Sequence, residues 1–119
     1  MAPDEAIRHV VLLMIENHSF DQMLGCLQDE FPELDGVDMN APEARFNVDI
    51  SGNRVFQVPT DEQQVARDPL HETVNVLAQI ANANSGFVRD YQSNVSGTTA
   101  EDRHNLIGYY ALDRLPALQ

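Results

Sequence analysis

Lysine and tryptophan are absent from these 119 residues, and cysteine occurs once. Positive charge is scarce: seven arginines stand against 19 aspartates and glutamates, for a formal net charge of −12. That balance excludes a nucleic-acid backbone as partner, which requires clustered basic side chains. It also opposes static binding to an anionic membrane surface. It leaves a phosphate-bearing substrate open, because a bound cation reverses the local field. The lone Cys26 rules out an internal disulfide, so no redox compartment follows from it. Aromatic residues make up only 7% of the chain, which leaves the core to aliphatic side chains. Long apolar runs are missing too. The best one, residues 9–15, is far too short to span a bilayer. Acidic residues precede it and Glu16-Asn17-His18 follows it, which is not the pattern of a secretory signal peptide.

What is present reads as globular. Apolar residues at 43% and charged residues at 22% are ordinary for a folded domain, and the length suits one domain or part of one. Residues 7–15 form a nearly continuous apolar run with β-branched members, as expected of a strand buried on both faces of a parallel sheet. Ser19 and Gln22 fit a capping box, which predicts a helix over 20–28 with Phe20, Met23, Leu24 and Leu27 on one face. Residues 29–45 read as loop. Phe46, Val48 and Ile50 alternate with polar residues, Ser51-Gly52-Asn53 forms a turn, and 55–58 is the return strand of a hairpin. A polar connector over 59–67 leads to a second helix over 71–83, with Val74, Leu77 and Ala81 on one stripe and Val76 and Ile80 widening it. Gly86 is placed to stop it. Residues 87–98 show no clear pattern. Thr99 and Asp102 cap a third helix over 100–111. Strand, polar turn, helix is the opening unit of an α/β fold. Yet one buried strand and a hairpin make a poor complete sheet. The expectation is therefore that 1–119 is the amino-terminal part of a single, incomplete domain.

The strongest candidate site is Glu16-Asn17, at the carboxyl end of the first strand, where ligands gather in open α/β sheets. A carboxylate beside an amide oxygen offers two hard ligands to a divalent cation such as Ca²⁺, Mg²⁺ or Mn²⁺. The helix that follows presents unpaired N–H groups that favour a phosphate. Taken alone, the same residues also suit a plain polar turn before a capped helix.

The stretch Glu16-Asn17-His18-Ser19-Phe20-Asp21-Gln22-Met23-Leu24-Gly25, with the apolar run before it, resembles the opening signature of the phosphoesterase family. That family includes non-specific phospholipases C and related acid phosphatases. Its usual pattern has Arg where His18 stands and His where Gln22 stands. Further landmarks follow in order: Leu34-Asp35-Gly36-Val37; Asp68-Pro69-Leu70-His71, with Leu70 in place of Gly; Gly86-Phe87-Val88; and Gly108-Tyr109-Tyr110 with Leu115-Pro116. The resemblance implies an alkaline-phosphatase-like core of parallel strands flanked by helices. It implies metal-dependent hydrolysis of phosphoester bonds, including phospholipid head groups. Carried over by position, Glu16 and Asn17 are metal ligands and His71 is an active-site residue that contacts substrate or helps move a proton. Ser19 and Asp21 are assigned to capping and support. The family's nucleophile and a later acidic metal-binding pair lie downstream of the positions present here, so the isolated chain is expected to be inactive. The family is often secreted or envelope-associated; the chain itself carries no such signal.

Bland readings stand beside these. His9 is structural, His104 solvated, and Arg45, Arg67 and Arg89 are scattered surface charges. Cys26 is a small buried hydrophobe. The alternative to an enzyme is a non-catalytic acidic interaction module whose open sheet edge pairs with a partner chain.

Overall fold

The computed structural model describes residues 9–11 and 18–115. Most of the predicted first strand lies outside them. The three described residues of that run, 9–11, belong to no strand and are exposed, Val10 at 87% and Val11 at 89%.

Helix α1 spans Phe20–Leu24 and passes directly into a 3-10 segment, Gly25–Asp29. The predicted helix over 20–28 is therefore present but tightens halfway. Gly25 marks the change and is buried against the 34–37 landmark. The Val37 amide donates to the Gly25 carbonyl at 2.9 Å. A side chain on Gly36 would put its Cβ 2.5 Å from that same carbonyl oxygen. Only a residue without Cβ lets the two backbones approach so closely.

The hairpin forms as predicted but is short. Strands β1 (Asn47–Val48) and β2 (Arg54–Val55) pair antiparallel, with Asn47 opposite Val55 and Val48 opposite Arg54. Gly52 takes the positive φ of +85° that the turn demands. Asp49 holds the loop from inside, accepting from the Ser51 and Asn53 amides and the Asn53 side chain.

Helix α2 (Thr73–Gln79) is followed by a single turn, α3 (Ala81–Asn84), in which Asn82, Ala83 and Asn84 sit at positive φ. That turn ends the predicted 71–83 helix early. Helix α4 (Phe87–Asn94) occupies the stretch that showed no clear pattern. Helix α5 (Ala100–Leu106) starts on the predicted cap: Thr99 accepts from the Asp102 amide, and the Asp102 carboxylate accepts from the Thr99 amide. It stops at Leu106 rather than running to 111. Beyond it the chain turns through Gly108 and pairs with the connector, where Pro59 and Tyr109 form a parallel bridge.

The core is thin and split. One cluster gathers Cys26, Val37 and Tyr109; the other gathers Val55, Val88 and Ile107. Tyr91, 1% exposed, closes the interior and donates its hydroxyl to the Arg67 carbonyl. The hairpin is tied to α4 by polar bonds: the Val88 amide donates to Asn47 Oδ1 and the Ile50 amide to Gln92 Oε1. The described residues thus mix helices with a small two-stranded antiparallel sheet, which is compatible with an α/β fold. No strand besides β1 and β2 occurs among them, so the expected parallel core is not on display.

Candidate functional site

Glu16 and Asn17, the expected metal ligands, lie outside the described residues. Their immediate neighbours do not. Ser19 caps α1 as predicted, its Oγ accepting from the Gln22 amide at 3.1 Å. The other half of the capping box does not form. The Gln22 side chain turns instead to His18, whose Nδ1 lies 2.7 Å from Gln22 Oε1. Because a carboxamide oxygen only accepts, Nδ1 is the protonated nitrogen in this bond. The two positions that depart from the family signature are therefore bonded to each other, one helical turn apart. Their i, i+4 spacing is the sequence signal of that bond.

His18 and Gln22 form one wall of a cleft of about 610 Å³. The connector forms the other wall, through Gln63, Gln64, Val65, Ala66, Arg67 and Asp68. Tyr110 holds the walls together. Its amide donates to the Gln22 carbonyl at 2.8 Å, its hydroxyl donates to the Glu62 carbonyl at 2.9 Å, and its ring stands 6.4 Å from that of His18. Tyr110 belongs to a sequence landmark, but its spanning role depends on contacts between distant segments.

The cleft thus brings the opening signature beside Asp68, the first residue of the Asp68-Pro69-Leu70-His71 landmark. His71, the candidate catalytic residue, is exposed and three residues past Asp68; it does not line this cleft. Leu70 at the family's Gly position offers its carbonyl to Gln79 Nε2 at 2.9 Å. Asp21, of the signature, faces away from the cleft. It accepts from Gln57 Nε2 at 3.1 Å and lines a second cavity of about 590 Å³ with Asp35, Arg45 and Asn84. Arg45 is paired with Asp35 and donates to the Gly36 carbonyl, so its charge is already engaged.

Cys26 is 3% exposed, and burial pushes its thiol pKa up, with the carboxylates of Glu30 and Asp29 adding to the rise. Both effects oppose thiolate formation. His104 is exposed, in keeping with a solvated role. Among the described residues no group of three or more His, Cys, Asp or Glu side chains is placed to hold a metal ion. No helix among them is long and apolar enough to cross a membrane.

Comparison with known proteins adds a family to this geometry. The model of the phosphoesterase family matches residues 7–119. That span is nearly the whole chain, and the chain belongs to the phosphoesterase family. Non-specific phospholipase C3 of Arabidopsis thaliana is 32% identical over 76 residues, covering 62% of this chain and 14% of the phospholipase. The chain therefore matches only a small part of that relative's length. No solved structure matches.

Proposed function

We propose that this chain is one part of a metal-dependent phosphoester hydrolase of phospholipase C type, built on an alkaline-phosphatase-like core. What supports the reading is the match of the family model to residues 7–119, and beside it the cleft that sets His18 and Gln22 against the connector ending at Asp68. Two landmarks separated by more than forty residues of sequence share one solvent-filled space.

Glu16 and Asn17 are the residues that hold the cation in this reading. Their donor chemistry fits: both offer oxygen, which suits Ca²⁺, Mg²⁺ or Mn²⁺. When bound, such a cation supplies positive charge to phosphoryl oxygens. That supply matters in a chain with a net charge of −12. His71, exposed at the start of α2, is free to reach a substrate oxygen once one is bound nearby. Two ligands are fewer than the six to eight oxygens that Ca²⁺ takes. The remaining ligands and the hydroxyl nucleophile come from elsewhere in the domain, and the isolated chain is inactive.

The test has two arms. Calorimetric titration of Ca²⁺, Mg²⁺ and Mn²⁺ into the 119-residue chain should show weak binding to one of them, lost in Glu16→Ala. In a complete phosphoesterase carrying these residues, Glu16→Ala should remove hydrolysis of p-nitrophenyl phosphate and phosphatidylcholine, and His71→Ala should lower it at least tenfold. Full activity and unchanged metal content in Glu16→Ala would sink the assignment.

A further inference from the structure

The connector over 62–67 contains no helix or strand, yet it is pinned at both ends. At Glu62 the amide donates to Thr60 Oγ1 at 3.1 Å and the carbonyl accepts from the Tyr110 hydroxyl at 2.9 Å. At Arg67 the carbonyl accepts from the hydroxyl of Tyr91, a fully buried residue, at 3.0 Å. Between these anchors, the exposed Gln63 and Gln64 side chains make no hydrogen bond to any described residue. A loop fixed on a rigid frame, with polar side chains left over, has the build of a binding loop. Both glutamines line the 610 Å³ cleft, opposite a third carboxamide, that of Gln22. Gln22 Oε1 is committed to His18 Nδ1, which leaves the Gln22 Nε2 hydrogens to donate and makes Nε2 of the neutral His18 ring an acceptor.

We infer that this cleft takes a neutral, polyhydroxylated alcohol, such as inositol or a hexitol, and that its carboxamides select the alcohol half of the phosphoester. The second clause rests on the proposed hydrolase reading, in which His18 directly follows the cation ligand Asn17. Four features of the cleft choose this ligand. Its volume falls within the roughly 300–1,000 Å³ of small-molecule sites. Such sites are ordinarily mostly apolar, but here Val65 and Ala66 are the only apolar lining residues, which disfavours an acyl chain. The formal charges in the lining are one of each sign, Arg67 and Asp68, so neither a cation nor an anion is favoured. Glu62, Glu101 and Asp102 line a neighbouring cavity instead, and the Asp102 carboxylate is taken up by the Thr99 cap. No Phe or Tyr lines the cleft, so it lacks the aromatic faces that hold a quaternary ammonium group such as choline. What remains is a set of groups that both donate and accept. A hydroxyl also does both, and a carboxamide can bond two neighbouring hydroxyls at once. Because the walls are already tied together through Tyr110, little ordering is left to be done on binding.

The first test uses the intact 119-residue chain without metal or phosphate. Myo-inositol and choline chloride are titrated separately, and the glutamine side-chain amide signals are followed by ¹H–¹⁵N NMR. Inositol should shift the Gln22, Gln63 and Gln64 signals saturably, with millimolar affinity, and choline should bind at least tenfold more weakly. The double variant Gln63→Ala/Gln64→Ala should weaken inositol binding at least tenfold. Both positions are exposed, so the backbone spectrum of the variant should otherwise match the parent. No saturable shift with inositol, equal or tighter binding of choline, or inositol binding unchanged in the double variant overturns the inference. The second test uses a complete phosphoesterase carrying these residues. It should hydrolyse inositol 1-phosphate with at least tenfold higher kcat/KM than phosphocholine, and the double variant should erase that preference; a preference for phosphocholine overturns the assignment of the alcohol. The same comparison between phosphatidylinositol and phosphatidylcholine tells a lipid head group from a soluble ester. The NMR test involves neither Glu16 nor a cation, so failure of the polyol site and failure of the hydrolase reading are distinguishable.

Discussion

Replacing Asp90 by alanine removes the acceptor on which the α2–α4 contact is built. The Asp90 carboxylate is 7% exposed and takes three side-chain hydrogen bonds, from Asn75 at 3.0 Å, Gln79 at 2.9 Å and Asn94 at 2.9 Å. Hydrogen bonds to a charged acceptor are worth roughly 1.5–3 kcal/mol each. The three losses are unequal. Asn94 is exposed and rehydrates when released. Gln79 is half-buried and keeps its bond to the Leu70 carbonyl. Asn75 is buried and loses its Asp90 partner, so it bears most of the cost of an unsatisfied donor. The expected loss is therefore about 3 kcal/mol, a large share of the roughly 5–15 kcal/mol that holds a domain together. Asp90→Asn should cost less, about 1–2 kcal/mol for one lost acceptor. Its remaining oxygen still serves Asn75 and Asn94, while its amide opposes that of Gln79. The assay is urea unfolding followed by circular dichroism. With a slope of about 1.5 kcal/mol per molar urea, Asp90→Ala should lower the midpoint by about 2 M. A change under about 0.5 kcal/mol, or Asp90→Asn costing more than Asp90→Ala, would refute the view that polar bonds hold α2 in place.

Two further outcomes are expected. Gly36→Ala should destabilise the chain by roughly 1–3 kcal/mol, because its Cβ would meet the Gly25 carbonyl oxygen at 2.5 Å and the backbone must shift; unchanged thermal melting would contradict the close approach. The Asp49 carboxyl is held below the usual carboxylate range, first by the Asn53 side chain and then by the Asn53 and Ser51 amides, with burial opposing. A carboxyl with a lowered folded pKa binds fewer protons folded than unfolded. Its stabilisation is present above the unfolded pKa and is lost as pH falls through the folded one. Asp49→Asn should accordingly flatten the fall in stability below about pH 4, read from melting curves at pH 7 down to pH 3.

Capping and turn chemistry were legible in the residues, because those signals act within a few positions. Ser19, Thr99 with Asp102, and Gly52 all do what their local sequence implies. Helix α4 was missed although Phe87, Val88 and Tyr91 lie at helical spacing, because buried Asp90 interrupts the stripe with a polar residue. In α2 the periodicity located a helix but not what its apolar face meets. A stripe reports which face is to be covered; what covers it depends on other segments. The cleft was hidden for the same reason. It exists because Tyr110 ties Gln22 to Glu62, residues forty positions apart, and neither bond leaves a trace in local pattern.

The family landmarks look unrelated along the chain, yet three of their glycines do the same mechanical work. Gly36 lets the 34–37 loop close on Gly25 of the signature, and Gly86 lets the start of α4 pass against the Ala78 carbonyl at the end of α2. At Gly108, a Cβ would meet the Thr60 side chain at 2.7 Å, where the chain pairs with the connector. Each glycine thus sits where a landmark residue passes close against another segment: Gly25 of the signature, α2, or the connector. Capping signals are few and local, while the glycines that let distant segments approach are spread over the chain.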